Sequence, residues 1–246
     1  MSASSDLLID VGHSRAKWGR CRDGQLLTSS VGASTLDDRF SLRAIIERES
    51  IRRVLWSPQS HRASIERLRN DFRSLGVSCR TVVTGSLNLP VAAAYPDLGS
   101  DRWLALQWPW VQSERALCVI DCGTAITVDA VDGRGQHQGG WIMAGLTSLR
   151  RGLAQGAPDL PPDNPAPGTD DLPAMDSAKA LGGGFRLQLI GGLVRALEQL
   201  ERILGPDFDC WLTGGDADLL RPAIDRQVLH DPHLVLRGLA LASERS

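Results

Sequence analysis

Lysine is scarce in this chain of 246 residues, and the chain has no excess of positive charge. Lys17 and Lys179 are the two lysines, and arginine supplies the other basic side chains. Lys+Arg number 27 against Asp+Glu 29, so the formal net charge is -2. Dedicated nucleic-acid-binding proteins usually have a basic footprint that this balance does not provide, so we expect no nucleic-acid partner.

Cysteines are few, and long apolar runs are missing. The five cysteines are odd in number and contain no CxxC pair, which argues against a disulfide framework or a zinc site; they are Cys21, Cys79, Cys118, Cys122 and Cys210. We therefore expect reduced, buried thiols in a cytoplasmic protein. No apolar run approaches the about 20 residues that cross a bilayer, and residues 1–6 do not resemble a signal peptide. We expect no membrane partner.

Apolar strands alternate with helical patterns along the chain, which predicts an α/β fold. Residues 7–12 read as a buried strand that ends in Asp-x-Gly, and residues 117–124 repeat the pattern. A second strand and a turn follow each copy, so we infer an internal repeat of architecture. The apolar spacing and turn residues also predict helices over 42–50, 63–75, 100–110, 177–204 and 235–242, and further strands over 54–57, 81–83 and 211–213.

Two segments are less regular in sequence. Glycines 182–184 and 191–192 weaken or interrupt the long helix predicted over 177–204. Residues 158–173 are rich in proline, aspartate and glycine, so they predict an irregular surface loop.

The two Asp-x-Gly turns are the strongest candidates for chemistry. Glycine lets backbone N–H groups approach an anion, and an aspartate at the end of a strand can hold a cation beside phosphates. Lys17 follows the first turn closely and could reach a phosphate, while Thr124 adds a hydroxyl to the second. The alternative is that each Asp-x-Gly is an ordinary turn. Because the motif occurs twice, each time after a matched apolar strand, we favour a nucleoside triphosphate site in a cleft between two lobes.

A third candidate begins the helix at Gly99-Ser100-Asp101-Arg102. Helix N-termini attract anions, an aspartate can accept a proton from a hydroxyl, and an arginine can bind a carboxylate with two hydrogen bonds. The alternative is that Ser100 or Asp101 is an N-cap with no further role.

Two glycine segments also remain open to interpretation. Thr213-Gly214-Gly215 would place backbone against a flat ligand such as adenine, or end a strand. Gly139-Gly140-Trp141-Ile142 with Gly145 would approach a substrate, or allow close packing between subunits.

Seven blocks, in this order and spacing, resemble type III pantothenate kinases: DVGHSRAKW, Tyr95 followed by LGSDRWLAL, IDCGTAITVD, GGWIMAGL, DSAKALGGG, LTGGDA and LVLRGL. That family belongs to the actin-like, Hsp70-like and sugar-kinase-like superfamily. The resemblance implies two similar actin-like (ribonuclease H-like) lobes with a nucleotide cleft between them. The lobes would span residues 1–113 and 114–246, with dimerisation helices in the second.

The resemblance also implies a reaction, which is the ATP-dependent phosphorylation of pantothenate to 4'-phosphopantothenate, the first step of coenzyme A biosynthesis. The enzyme would be a cytoplasmic homodimer that needs Mg2+ and a monovalent cation, K+ or NH4+. Asp101 would be the general base, Asp10 would organise magnesium, and Asp121 would bind the monovalent cation. ATP would contact Thr124 and the first turn, which is Asp10, Val11, Gly12, His13, Ser14, Arg15, Ala16 and Lys17. Pantothenate would contact Tyr95, Gly99, Ser100, Asp101, Arg102 and, from the neighbouring subunit, Ser177.

The chain departs from the family pattern at a few positions. His13 and Ser14 replace the usual Asn-Thr, Asp176 and Ser177 replace another Asn-Thr, and Ala144 stands where proline is common. The hydroxyls are kept, but His13 is bulkier and can become charged near neutral pH. Two alternatives therefore stay open: a weak or inactive relative that acts as an accessory factor in transcriptional regulation, and an actin-like kinase for another small hydroxy acid.

Overall fold

The computed structural model describes residues 4–12, 16–34, 39–58, 62–161 and 173–245. The chain forms two compact units. Unit 1 comprises Met1–Arg115, Val131–Gln138 and His233–Ser246, and unit 2 comprises Ala116–Ala130 and Gly139–Pro232. This differs from the division at 113/114 predicted from the sequence, because the C-terminal helix and the 131–138 turn belong to unit 1.

The first sheet has a central strand with an antiparallel neighbour on one side and a parallel neighbour on the other. Its strand order is β3-β2-β1-β4-β5, and β1 pairs antiparallel with β2 and parallel with β4. Helix α1 (Arg39–Arg48) leads from the hairpin edge strand β3 to β4, and α2 (Arg62–Ser74) leads from β4 to its parallel neighbour β5. The strands are β1 (Ser5–Val11), β2 (Ala16–Arg22), β3 (Gln25–Ser34), β4 (Ile51–Pro58) and β5 (Ser78–Thr81).

The second sheet repeats this order as β10-β9-β6-β7-β8, with β6 parallel to β9 and β9 parallel to β10. Each sheet thus carries a hairpin side and a parallel side about its central strand, which confirms the predicted repeat and the α/β fold class. The strands are β6 (Leu117–Cys122), β7 (Ala125–Val131), β8 (His137–Ala144), β9 (Asp209–Thr213) and β10 (Val228–His230).

The remaining helices are α3 (Ser100–Ser113), α4 (Leu146–Gly156), α5 (Ser177–Leu204), α6 (Ala217–Leu220) and α7 (Leu234–Glu244). A 3₁₀ turn, Arg221–Ala223, follows α6. Helix α5 is continuous, so its glycines do not interrupt it. Leu189, Leu193 and Leu200 recur on one face and pack in the core of unit 2, and this burial outweighs the weak helix propensity of glycine. Among the described residues, no helix is long and apolar enough to cross a membrane.

Some elements were missed or shifted by the sequence patterns. Strand β5 covers 78–81 rather than 81–83, although Val82 N still donates to Trp56 O at 2.9 Å. Strand β8 and helix α4 were not predicted, because each contains two glycines. Glycine weakens strand and helix propensity alike, although Leu146, Leu149 and Leu153 do follow helical spacing in α4.

Helix α7 returns to unit 1 and packs closely on α3. A Cβ atom on Gly238 of α7 would lie 2.1 Å from the carbonyl oxygen of Leu104 on α3, which is far below contact distance. Glycine therefore allows the two helix backbones to approach, and this contact fixes α3 against the C-terminal helix.

We predict that Gly238→Ala lowers the free energy of unfolding by about 1–3 kcal/mol, because the added methyl group overpacks a backbone contact. Urea denaturation would measure the change. Gly152→Ala is the matched control, because no atom lies within 4 Å of a Cβ there and alanine is favoured within helix α4. Equal stability of the two variants would contradict the close contact between α3 and α7.

Candidate active site

The end of β1 places Asp10 between two neighbouring strands. In the strand register Asp10 lies opposite Lys17 of β2 and beside Ser57 of β4. Directly opposed residues on antiparallel strands have Cβ atoms about 4.5–5.5 Å apart, so the carboxylate and the ammonium group share one face of the sheet. The hairpin register therefore brings Asp10 and Lys17 close together, which the sequence analysis had named only separately.

The rest of the first turn is described only in part. Val11 is buried in the core and Gly12 is half-buried, while Ala16 begins β2 and is also buried. His13, Ser14 and Arg15 lie outside the described residues, so their predicted phosphate contacts stay predictions.

The single carboxylate of Asp10 suits a metal ion that is also bound by the phosphates of a substrate. Among the described residues, no group of three His, Cys, Asp or Glu side chains could hold a metal ion alone. Mg2+ at phosphoryl-transfer sites is usually bound through one or two carboxylates together with substrate phosphates and water. A single carboxylate at the end of β1 therefore fits magnesium bound together with a nucleotide.

The turn between β6 and β7 is fixed by the segment that begins α4. Gly145 N and the Ser148 hydroxyl both donate to Thr124 O, at 3.0 and 2.6 Å. A Cβ atom on Gly145 would lie 2.0 Å from Gly123 O. The sequence had left the role of Gly145 open, and the structure assigns it to close packing on this turn, while Ser148 carried no sequence signal.

The segment after β9 approaches the same turn from another direction. Asp216 N donates to Cys122 O at 2.9 Å, and a Cβ atom on Gly214 would lie 2.2 Å from that oxygen. Gly214 also has a φ of +95°, a left-handed conformation that favours glycine. Gly215, in contrast, has open space beside it.

Two carboxylates lie within electrostatic range of the second turn. The pKa of the Cys122 thiol is raised well above its ordinary value, mainly by burial and then by the negative charges of Asp121 and Asp216. The thiol is therefore protonated and inert at neutral pH. Asp216 was not among the predicted site residues, although it lies in the LTGGDA block. Two carboxylates and nearby carbonyl oxygens are hard oxygen donors that suit a cation.

Helix α3 begins at the third candidate. Its N-cap is Gly99, which makes no side-chain cap hydrogen bond, so Ser100 and Asp101 are not N-caps. A Cβ atom on Gly99 would lie 2.7 Å from Asp101 Oδ1, which shows that the carboxylate folds over the glycine. The Ser100 hydroxyl accepts a hydrogen bond from Thr84 N at 3.3 Å and ties the helix start to the preceding segment.

Tyr95 and Arg102 come together beside this helix start. Arg102 Nη1 donates to the Tyr95 hydroxyl at 3.2 Å, and Arg102 is 9% exposed. The ring of Tyr95 also packs on the ring of His137, with centroids 5.9 Å apart. Unit 1 thus brings a guanidinium and a phenol together beside the helix N-terminus that carries Asp101. Their predicted role in binding an acidic acceptor stays a prediction.

The start of α5 explains one departure from the family pattern. The Asp176 side chain is the N-cap and accepts a hydrogen bond from Lys179 N at 2.8 Å, while Lys179 Nζ lies 3.3 Å from Asp176 Oδ2. The hydrogen bond from the Lys179 backbone lowers the pKa of Asp176. Asp176 therefore caps a helix, and the second lysine of the chain pairs with that cap.

Ser177 lies in a groove between α4 and α5. The groove has a volume of about 340 Å³ and is otherwise mostly apolar, with Leu153, Leu160, Leu181 and Phe185 among its lining residues. Leu153 and Leu160 are exposed large hydrophobic residues, and Leu187 and Ile142 are others in unit 2. Exposed apolar surface of this kind is typical of a contact with another protein surface.

Comparison with known proteins places these features in a family. A family model for type III pantothenate kinase matches residues 6–199. The type III pantothenate kinase of Alkalilimnicola ehrlichii is 33% identical over 254 residues, covering 98% of each chain, and that of Ectopseudomonas mendocina is 32% identical over 244 residues, covering 96% of this chain and 98% of the relative.

Solved structures support the fold. A Campylobacter jejuni protein, provisionally assigned to the Baf family of transcriptional activators, matches with a TM-score of 0.64 at 19% identity, covering 97% of this chain and 98% of its own. A ROK hexokinase from Thermus thermophilus matches with a TM-score of 0.51 at 13% identity, covering 98% and 100%. These likenesses extend to the fold alone, whereas the family model and the near full-length sequence matches go further: the chain belongs to the type III pantothenate kinase family.

Proposed function

We propose that this protein transfers the γ-phosphoryl group of ATP to the hydroxyl group of pantothenate. The products are 4'-phosphopantothenate and ADP, and the reaction is the first step of coenzyme A biosynthesis. The observation that carries the proposal is the group formed by Asp101, Arg102 and Tyr95 at the N-terminus of α3.

The acceptor is bound and activated by unit 1. Arg102 and the Tyr95 hydroxyl bind the carboxylate of pantothenate, with Gly99 and Ser100 completing the site. Asp101 accepts the proton of the attacking hydroxyl, a role that its position in the first turn of α3, next to Arg102, supports. Phosphoryl transfer depends mainly on positioning and charge stabilisation, and this arrangement supplies the positioning.

The phosphates of ATP are bound by the two Asp-x-Gly turns. The backbone from Gly12 to Lys17 approaches the phosphates, and Lys17 offsets their charge. His13, Ser14 and Arg15 belong to the same contact, and Thr124 binds ATP from the second turn. Asp10 holds magnesium, which offsets charge on the phosphates when the nucleotide is bound.

The second turn also holds a monovalent cation, K+ or NH4+. Asp121 is its carboxylate ligand. The charges of Asp121 and Asp216 make the surroundings of Cys122 electrostatically negative, which supports a cation at this turn. The cation would stabilise the turn that carries Thr124 and thereby the bound nucleotide.

The protein acts as a cytoplasmic homodimer. All five cysteines are free, as expected for a reducing compartment. The exposed apolar residues of β8, α4 and α5 supply a surface for a second copy, and Ser177 reaches pantothenate in the neighbouring subunit. The protein's partner is a small molecule, with no nucleic acid and no membrane.

The first test replaces the general base. We expect Asp101→Asn to lower kcat by about 10²–10⁴-fold while ATP affinity and thermal stability stay unchanged, since the amide cannot accept the proton. Coupled detection of ADP with pantothenate as acceptor measures the rate. Asp97→Asn, which changes an exposed carboxylate in the same region, is the matched control and keeps full activity.

Two results would count against this function. A wild-type rate in Asp101→Asn removes the residue from the base role. An unmodified protein that gives no ADP with pantothenate, with or without K+ or NH4+, contradicts the kinase activity and favours the regulatory alternative.

The second test addresses the monovalent cation. We expect Asp121→Ala to abolish activation by K+ or NH4+, because the carboxylate ligand of the cation is lost. Initial rates over a series of KCl concentrations, at constant ionic strength, measure the effect. Asp225→Asn changes an exposed carboxylate of the same unit and retains the activation. Unchanged potassium dependence in Asp121→Ala would refute this assignment.

The third test concerns assembly. Leu153→Glu buries a charge in any contact made by the groove, so we expect it to shift the protein from dimer to monomer and to raise KM for pantothenate. Sedimentation velocity gives the oligomeric state. Val83→Glu, at an exposed apolar residue of unit 1, is the control and stays dimeric. A Leu153→Glu dimer with normal kinetics would show that this groove is not the interface.

A further inference from the structure

A buried glutamine holds the segment that carries Tyr95. Gln107 lies on α3 and is 0% exposed. Its Oε1 accepts a hydrogen bond from Val91 N at 2.9 Å, and its Nε2 donates to Val91 O at 3.3 Å and to Trp103 O at 2.9 Å. One side chain thus engages both polar backbone groups of Val91, four residues before Tyr95.

Trp103 strengthens the same attachment. Its indole Nε1 donates to Val91 O at 2.8 Å. Trp103 and Gln107 are four residues apart, so they lie on the same face of α3. Arg102 directly precedes Trp103, so the helix that holds Val91 also carries the guanidinium that meets the Tyr95 hydroxyl.

The other edge of the segment is held by the turn between β7 and β8. Ala92 N donates to Gly135 O and His137 N donates to Ala92 O, each at 3.0 Å. The His137 ring then packs on Tyr95. The segment from Val91 to Tyr95 is therefore attached on two sides within unit 1.

Core packing alone does not account for Gln107. A buried amide is costly unless its hydrogen bonds are satisfied, and a leucine of similar volume would fill the same space without that requirement. What the amide adds is a fixed position for Val91, and through it for the tyrosine that follows.

We infer that Gln107 is a positioning residue for the acceptor site. Gln107 fixes the position of the Tyr95 hydroxyl relative to Arg102, and this position determines the affinity for the acidic acceptor. The inference rests on the proposed function, because it takes Tyr95 and Arg102 to be the carboxylate-binding pair. Gln107 itself does not touch the substrate.

Kinetics of Gln107→Leu test the inference. We expect KM for pantothenate to rise about tenfold, equivalent to about 1.4 kcal/mol, because the carboxylate-binding pair is no longer held in place. We expect kcat and KM for ATP to change by less than about twofold, since the base and the phosphate contacts remain. Gln107→Asn, which stays an amide but is too short to reach Val91, is the milder variant and changes KM in the same direction.

Leu104→Val is the matched control for stability. It alters a fully buried residue of α3 that makes no hydrogen bond to the Val91 segment, so it lowers the melting temperature without raising KM for pantothenate. If the Gln107 variants lose stability but keep KM for pantothenate, the role of Gln107 is structural and the inference is overturned.

Hydrogen–deuterium exchange of the ligand-free protein supplies a readout that does not need activity. We expect faster amide exchange over residues 91–95 in Gln107→Leu, and unchanged exchange there in Leu104→Val. Unchanged exchange in both would overturn the attachment itself. Absence of pantothenate turnover by the unmodified protein would instead overturn the proposed function, and the exchange result would still decide whether Gln107 holds the segment.

Discussion

Close backbone packing around the turn between β6 and β7 is the constraint on which the candidate residues of unit 2 depend. Side-chain carbons on Gly145 and Gly214 would lie 2.0 and 2.2 Å from carbonyl oxygens of this turn, so no other residue fits without moving it. Gly145 N and Asp216 N also donate hydrogen bonds to carbonyl oxygens of this turn, those of Thr124 and Cys122. Asp121 and Thr124 therefore lie on a constrained backbone rather than on a free loop, as the proposed binding of a cation and a nucleotide requires.

Unit 1 reaches a comparable rigidity by other means. Its hairpin pairs Asp10 with Lys17 across two strands. The residues proposed to bind the acceptor, Asp101 and Arg102, lie in the first turn of α3, and α3 packs closely on α7 at Gly238. Sites on helices and strands are positioned more accurately than sites on free loops. Each carboxylate that the proposed reaction needs thus lies at the end of a strand or the start of a helix.

Much of this arrangement could be predicted from the sequence, because the relevant signals are local. Apolar runs ending in Asp-x-Gly revealed both central strands, and the glycine before Ser100 marked the start of α3. The contacts of Gly145, Gly214 and Asp216 were not predictable, since they join residues about 20 to 90 positions apart and no local pattern encodes them. Gln107 was missed for the same reason: its position in the sequence resembles an ordinary helical residue, and its role appears only through Val91.

A crystal structure with pantothenate and a non-hydrolysable ATP analogue would test the central claim most directly. The account predicts that the acceptor hydroxyl lies within about 3.2 Å of the Asp101 carboxylate, as a general base requires, with the pantothenate carboxylate on Arg102 and the phosphates on the backbone of the Asp10 and Asp121 turns. Pantothenate bound away from Asp101, or phosphates that touch neither turn, would contradict it.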